Sequence, residues 1–297
     1  MQNNNSLVSK SPKWWRFGLA AWQPIAEYFK SDVIKDEDLW QQLKSGQSNT
    51  SFRLRIHNRH YFIQLPNEKN NLLRPFNGQY SALDRWLMST QIKQWLTRHY
   101  IDLPLVCISE WIDNDPQYIR FSNQSLRQQL VGFLVGLHQL SPINGKEQNS
   151  DAAVIGESLL TKPLDMAQHL KGYFELAIKT NPQQRTAIEL LYNEGLFFAK
   201  SHEPSCFCHS DLNPFNLLWD ANKGQLKIID WEYACFNDPL LDIAGLLVHW
   251  SLSSREQSQF VAAYQQRMGR SIDPQKLKDM GSLSRVLSKL WHFASDN

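Results

Sequence analysis

Residues 208–242 read CHSDLNPFNLLWDANKGQLKIIDWEYACFNDPLLD. Two short apolar runs, Phe215 to Asp220 and Leu226 to Asp230, flank Ala221-Asn222-Lys223-Gly224-Gln225, which carries Asn and Gly turn chemistry. The pattern predicts a β-hairpin. With a five-residue loop, Asp220 opposes Leu226, Leu218 opposes Ile228, and the same register sets Asn216 across from Asp230. Opposed residues of an antiparallel pair point to one face, so an amide oxygen and a carboxylate come side by side. Such a pair is a natural seat for Mg²⁺, which takes hard oxygen ligands and keeps waters and phosphates for the rest. Asp211 lies five residues before Asn216 on the incoming loop, where it can accept a proton from a hydroxyl attacking a γ-phosphate.

His209-Ser210-Asp211-Leu212-Asn213-Pro214-Phe215-Asn216 resembles the HxDxxxxN catalytic loop of the protein-kinase-like superfamily in its aminoglycoside phosphotransferase and choline/thiamine kinase branch. Ile228-Ile229-Asp230-Trp231-Glu232-Tyr233-Ala234 is similar to that branch's second metal motif, and Asn237-Asp238-Pro239 with Asp242-Ile243-Ala244 continues the likeness to bacterial choline and thiamine kinases. The resemblance implies an α+β, bilobal protein-kinase-like fold, with a small antiparallel-sheet N-lobe and a mostly helical C-lobe. It implies a lobe over 1–112 that binds nucleotide and a catalytic, substrate-binding lobe over 113–297. It also implies ATP and Mg²⁺ as cofactors, Asp211 as base, and Asn216 and Asp230 as metal ligands. His209 then supports the loop, and Asp242 braces it. The alternative, acids that merely cap turns in an unrelated α/β protein, needs several spaced motifs to agree by chance.

The chain has 297 residues, four cysteines and a formal charge of +2. Its length permits one large domain or two lobes with a sizeable core. The slight charge gives no case for nucleic acid or an anionic membrane as the main partner. Phe17 to Trp22 is too short for a signal-peptide core, and no run approaches the ~18 apolar residues of a spanning helix. A cytoplasmic protein is expected. Cys206-Phe207-Cys208-His209 with Cys235 invites a zinc reading, but a single C-x-C lacks the paired spacing of structural zinc sites; small buried apolar residues are the other reading.

In the N-terminal part, aromatics between Lys13 and Trp40 lack clean helical spacing and are expected to pack on a sheet. Thr50 to His57 alternates, as does Tyr61 to Leu65, which predicts a hairpin turning at Asn58-Arg59 with Leu54 opposite Ile63 and Arg53 opposite Gln64. Gly46 and Asn49, in Lys44 to Thr50, partly match the Gly-Gly-x-x-Asn nucleotide-covering loop of choline and thiamine kinases; an ordinary hairpin loop fits as well. The family's strand Lys or Arg falls at Gln64, and its partner Glu at Gln79. Arg53 or Arg55, on the same strand face, is the expected substitute at the phosphates; solvated strand arginines are the alternative. Gly78 to His99 has roughly helical apolar spacing and is expected to pack on the small sheet. Leu103 to Ile112 reads as a buried strand, and the resemblance makes Glu110, Trp111 and Ile112 hinge residues for the adenine.

From Ser125, the spacing of Leu126, Leu130, Phe133, Leu134 and Leu137 predicts an amphipathic helix. Helices are expected over 155–179 and 183–200, and another starting at Asp273-Pro274. Trp231 and Glu232, with Tyr233, suit a cationic acceptor, since an aromatic face attracts a cation and a carboxylate adds to it. The expected partner is a small-molecule alcohol, thiamine slightly ahead of choline; an aminoglycoside or sugar acceptor, and a nucleotide-binding pseudokinase motivated by Gln64 and Gln79, are the alternatives.

Overall fold

The computed structural model describes residues 18–30, 34, 36–43, 49–66, 80–103, 106–140, 162–250 and 252–295. The chain divides into two compact units, Met1–Lys69 with Arg98–Trp111, and Asn70–Thr97 with Ile112–Asn297. A boundary drawn at 112 therefore misses residues 70–97, which go with the second unit.

In the smaller unit, helix α1 (Gly18–Phe29) precedes strands β1 (Trp40–Gln42), β2 (Asn49–Ile56) and β3 (Arg59–Pro66). Strands β4 (His99–Leu103) and β5 (Val106–Glu110) complete a five-stranded sheet of order β1-β2-β3-β5-β4, with every pairing antiparallel. The alternation of β2 and β3 puts Phe52, Leu54, Ile56 and Ile63 on one face, where they share a core with Trp22, Ile25, Trp40 and Ile108. Burial of each such aliphatic side chain stabilises the fold by roughly 1.5–3 kcal/mol.

The β2–β3 register differs from the sequence expectation by one pleat. Leu54 faces Tyr61, and Arg53 faces Phe62. The turn residues are His57 and Asn58, at φ 47° and 61°. Two successive left-handed residues make the turn whose twist matches paired strands, and Asn tolerates that conformation better than Arg. A two-residue slip keeps every side chain on its face, so hydrophobic alternation could not distinguish the two registers. Helix α1 and strand β4 carried no clear periodic signal.

The larger unit begins with α2 (Tyr80–Met88), whose Leu83, Trp86 and Leu87 enter its core together with Ile92 and Leu96. They do not build the small-sheet core, contrary to the sequence expectation. The helix α3 (Gln124–His138) starts at Asn123, whose side chain accepts the Leu126 N–H, and buries the five residues its spacing named. Helices α4 (Met166–Thr180) and α5 (Arg185–Phe198) follow, with Asp165 capping α4.

Strands β6 (Cys206–Cys208) and β9 (Cys235–Asn237) pair with each other, as do β7 (Leu217–Asp220) and β8 (Gln225–Ile228). Three helices close the unit: α6 (Pro239–His249), α7 (Ser254–Met268) and α8 (Pro274–Ala294). Each has a side-chain cap, from Asp238, Ser253 and Asp273, and Asp273 caps with Pro at the first helical position as its sequence predicts. The small sheet and helical second unit make the α+β fold.

Candidate active site

The loop between β6 and β7 is held from below by Asp242, in the first turn of α6 and fully buried. Asp242 Oδ1 accepts the Ser210 N–H at 2.7 Å, and Oδ2 accepts the His209 N–H at 2.9 Å. A carboxylate is favoured at a helix N-terminus, where unpaired N–H groups point outward. These two bonds hold Ser210 at φ 65°, a left-handed conformation that costs a non-glycine residue on the order of 1–2 kcal/mol. Gly245, one turn further along α6, lets the helix pass under the loop: a Cβ there would lie 2.9 Å from the Leu212 carbonyl oxygen.

Asp211 points from this braced loop. Asn216 Nδ2 donates to its Oδ2 at 3.0 Å and to its backbone carbonyl at 2.9 Å, while Asn213 Nδ2 reaches its Oδ1 at 3.3 Å. Burial, helped by the neighbouring Asp230 charge, pushes the Asp211 carboxyl up from 3.8 to about 7, although both amides pull it down. A carboxyl with that value gains and loses its proton near neutrality, as a general base must.

Asn216 and Asp230 do not stand at the opposed strand positions that the sequence predicted. The hairpin loop has four residues, because Asp220 Oδ1 accepts the Asn222 and Lys223 N–H groups and Gly224 takes φ 59°. Trp219 therefore faces Leu226, and Leu217 faces Ile228. Asn216 is not across from Asp230; its carbonyl accepts the Ile229 N–H at 3.1 Å. Asp230 then turns at φ 67°, and that strained residue brings its charge beside Asp211. The Asn216 Nδ2 is committed to Asp211, which leaves the side-chain Oδ1 for a cation. An amide oxygen and a carboxylate are the hard donors Mg²⁺ takes, so the residues fit that ion.

His209 is fully buried, and its Nε2 donates to the Ile229 carbonyl at 2.9 Å. Burial lowers its pKa, so the ring is neutral and ties the loop to the strand exit rather than moving protons. Trp231 packs on His209 (4.7 Å between ring centres) and Phe133 (5.9 Å), with its indole N–H on the Ile228 carbonyl. Its ring is thus engaged with loop and core. Glu232 is buried, and its charge is felt by Tyr173, a residue of α4 that sequence reasoning missed. Burial, reinforced by Tyr233, Asp211 and Glu232, holds the Tyr173 phenol well above its usual value. Tyr173 hydrogen-bonds Tyr233, whose hydroxyl accepts the Trp291 indole N–H at 3.1 Å. Met166, Leu170, Tyr173 and Ala177 form one buried stripe, which reads as plain core.

The cysteines are all buried and free. Ligand atoms of His138, Cys206 and Cys208 lie within 4.8 Å of one another. Yet both His138 ring nitrogens are engaged, with Tyr264 and Asp242. Burial pushes the Cys208 thiol up, while a hydrogen bond with Cys208 draws the Cys206 thiol down. With its histidine committed to other partners, the cluster reads as packed thiols.

The residues read as nucleotide contacts lie in the smaller unit, except Ile112. Gly46 and Gln79 are outside the described residues. Asn49 opens β2 opposite Pro66, and Gln64 pairs with Ser51 and Cys107. Arg53 shares the Gln64 face, but its guanidinium lies 3.0 Å from His60 Nδ1 and stacks over Trp111 at 4.6 Å. Glu110 receives the Arg98 N–H on its carboxylate at 2.9 Å. Ile112 is buried, and its carbonyl accepts the Asn114 N–H.

Comparison with known proteins agrees with this geometry. The choline kinase LicA from Streptococcus pneumoniae superposes with a TM-score of 0.67 at 19% identity, over 92% of this chain and 90% of that one. The aminoglycoside-3'-phosphotransferase of type VIII gives 0.60 at 16% identity, over 84% and 94%. At these identities the likeness establishes the kinase-like fold. In sequence, probable ethanolamine kinase B of Dictyostelium discoideum is 29% identical over 119 residues, 38% of this chain and 26% of that protein. Protein LicA of Haemophilus influenzae is 44% identical over 54 residues, 18% of this chain and 19% of that protein. The match thus spans about a quarter or less of these curated relatives. The phosphotransferase enzyme family profile matches residues 39–279, which include the braced loop, Asp211, Asn216 and Asp230. This chain belongs to the phosphotransferase enzyme family.

Proposed function

We propose that this chain transfers the γ-phosphoryl group of ATP to the hydroxyl of a small cationic alcohol in the cytoplasm. The observation that carries this reading is the Asp211 carboxyl, raised to about 7 and held between two amides with Asp230 beside it. In that reading Asp211 takes the hydroxyl proton as the alcohol oxygen attacks. Asn216 and Asp230 hold Mg²⁺, which supplies charge neutralisation at the phosphates when bound. The chain's own contribution is placement of the nucleophile and charge, with no covalent intermediate.

Gly46, Asn49, Arg53, Gln64, Glu110 and Ile112 are proposed to contact the nucleotide. Replacement of Arg53 and Arg55 by Ala, singly, raises the KM for ATP if either arginine serves the phosphates; an unchanged KM in both variants removes that role. For the acceptor, Glu232 and the Tyr173–Tyr233–Trp291 chain supply a carboxylate and aromatic faces near Asp211. The named substrates of the relatives move choline and ethanolamine ahead of thiamine. No helix among the described residues is long and apolar enough to cross a membrane.

A nucleotide-binding pseudokinase is the second reading, favoured by Gln64 in place of a strand cation and by the engagement of Arg53 with His60 and Trp111. The test is acceptor-dependent ADP release from Mg·ATP with choline, ethanolamine, thiamine and an aminoglycoside, using Asp211→Ala as control. Turnover with choline or ethanolamine, lost in the variant, is expected. Nucleotide binding without turnover for any acceptor supports the pseudokinase instead.

A further inference from the structure

We propose that the cavity between α3 and α7 is a binding site for a small phosphate dianion, inorganic phosphate or a phosphate monoester, held by Arg127 and Arg267. None of its lining residues belongs to the catalytic loop or to the Tyr173 cluster, and the proposal does not depend on the phosphotransfer reading.

The site is built where two helices face each other. Positions 124, 127, 128 and 131 make one face of α3, and 259, 260, 263 and 267 make one face of α7, both at helical spacing. Between them lies a cavity of about 170 Å³. The buried Phe121 and Phe260, 6.2 Å apart between ring centres, form part of its wall. Each guanidinium is pinned by one backbone carbonyl. Arg127 lies 5.1 Å over the Phe121 ring and donates through Nη1 to the Phe121 carbonyl. Arg267 Nη1 donates to the Gln128 carbonyl at 3.3 Å. Helix α3 lacks a side chain where Arg267 lies against it: a Cβ on Gly132 would stand 3.2 Å from that nitrogen, and glycine is otherwise disfavoured inside a helix.

Two positive charges thus line one small cavity, and among the described residues neither is spent on an ion pair. Arg127 does help the Ser253 hydrogen bonds hold the Glu256 carboxyl below its usual value, but that carboxylate is exposed and closes the cap of α7, accepting the Ser253 N–H at 2.8 Å and hydroxyl at 2.7 Å. A single carbonyl uses one donor of a guanidinium and leaves the rest of its fork, the geometry that grips phosphate and carboxylate oxygens. Charge and donor number select between those two. Two cations match a dianion, and the exposed amides of Gln124, Gln128 and Gln259 supply donors for more oxygens than a carboxylate has. Size sets the other limit. Sites for drug-sized ligands and cofactors take roughly 300–1,000 Å³, so this cavity admits a phosphate with a few attached atoms and excludes a nucleotide.

The test is calorimetric titration of the full chain, free of metal and nucleotide, with sodium phosphate and with glycerol 3-phosphate, against sodium chloride at matched ionic strength. The variants are Arg267→Gln, at an exposed position, and Arg127→Lys, which keeps the charge and stem but loses the fork. The wild type is expected to bind at least one of the two phosphates at a single site. Each variant should weaken that binding about tenfold, with Tm in chloride within about 2 °C of wild type. Tighter binding of glycerol 3-phosphate identifies the ligand as an ester, and equal or tighter binding of inorganic phosphate identifies the free anion; both uphold the site. Heats that chloride reproduces, wild-type affinity in either variant, or no binding of either phosphate overturns it. Phosphate seated at the catalytic loop instead is indifferent to both substitutions, so it registers as wild-type affinity. ADP release from Mg·ATP, read in parallel, tests the phosphotransfer reading alone, and its absence leaves the anion site standing.

Discussion

Replacing Asp211 with Asn abolishes the proposed activity yet makes the protein more stable, by an amount that grows with pH. The carboxyl is raised from 3.8 to about 7 in the fold, so between those values the folded state binds more protons than the unfolded one. Stability therefore falls as pH rises through this window, the reverse of a salt-bridged acid. Integration of that difference gives a destabilisation of about 1.7 kcal/mol at about pH 5 and about 4 kcal/mol at about pH 8. Asn at this position carries no charge and is spared the penalty. It has one carbonyl oxygen where Asp offers two, so it can accept from Asn216 or from Asn213 but not both, at a cost of about 1 kcal/mol. That cost is independent of pH. The advantage of the variant should hence be about 0.7 kcal/mol at about pH 5 and about 3 kcal/mol at about pH 8, a change of between 2 and 3 kcal/mol, or roughly 5 °C in Tm. Paired urea and thermal denaturation of the two proteins in chelator, without nucleotide, measures it. A stability difference that stays constant with pH refutes the raised carboxyl.

The same carboxyl should shape the rate: kcat/KM reports the free enzyme and is expected to rise through about pH 7 to a plateau, so a flat profile from about 5.5 to about 8.5 contradicts Asp211 as base. Gly245→Ala sets a Cβ 2.9 Å from the Leu212 carbonyl oxygen and should cost about 1–3 kcal/mol in urea denaturation, with a fall in kcat as the loop is pushed up; wild-type values for both mean the helix has room to shift. Lys227 donates to the Leu96 and Gln94 carbonyls at 2.8 and 3.0 Å, and Lys227→Met should cost about 1–3 kcal/mol by the same measurement, an unchanged midpoint showing those carbonyls find other donors. Pairing His57→Asn with Asn58→Gly supplies the preferred residues for a turn with two positive φ angles; a gain of roughly 0.5–1 kcal/mol is expected, and a loss argues against the turn.

Much of this molecule is written locally. Motif spacing over 209–242 names Asp211, Asn216, Asp230 and Asp242, and the fold class with them, because each residue must stand at a fixed chain distance from the loop it serves. Caps such as Asp273 before Pro274 and the stripe of α3 are equally local, since helix ends and helix faces depend only on neighbours in sequence. Registers are not. A slip of two residues in β2–β3 leaves every face unchanged, and only the left-handed His57 and Asn58 select the observed pairing. In β7–β8, Asp220 shortens the loop, so Asn216 does not oppose Asp230, and the Asp230 charge comes beside Asp211 through one strained residue. The Tyr173 cluster and the His138–Tyr264 contact lay beyond sequence reasoning for a different reason. Their members are separated by tens to more than a hundred positions, and each reads singly as core. Burial removes the water that would satisfy a phenol or an imidazole, so only the folded arrangement shows which polar partner takes its place.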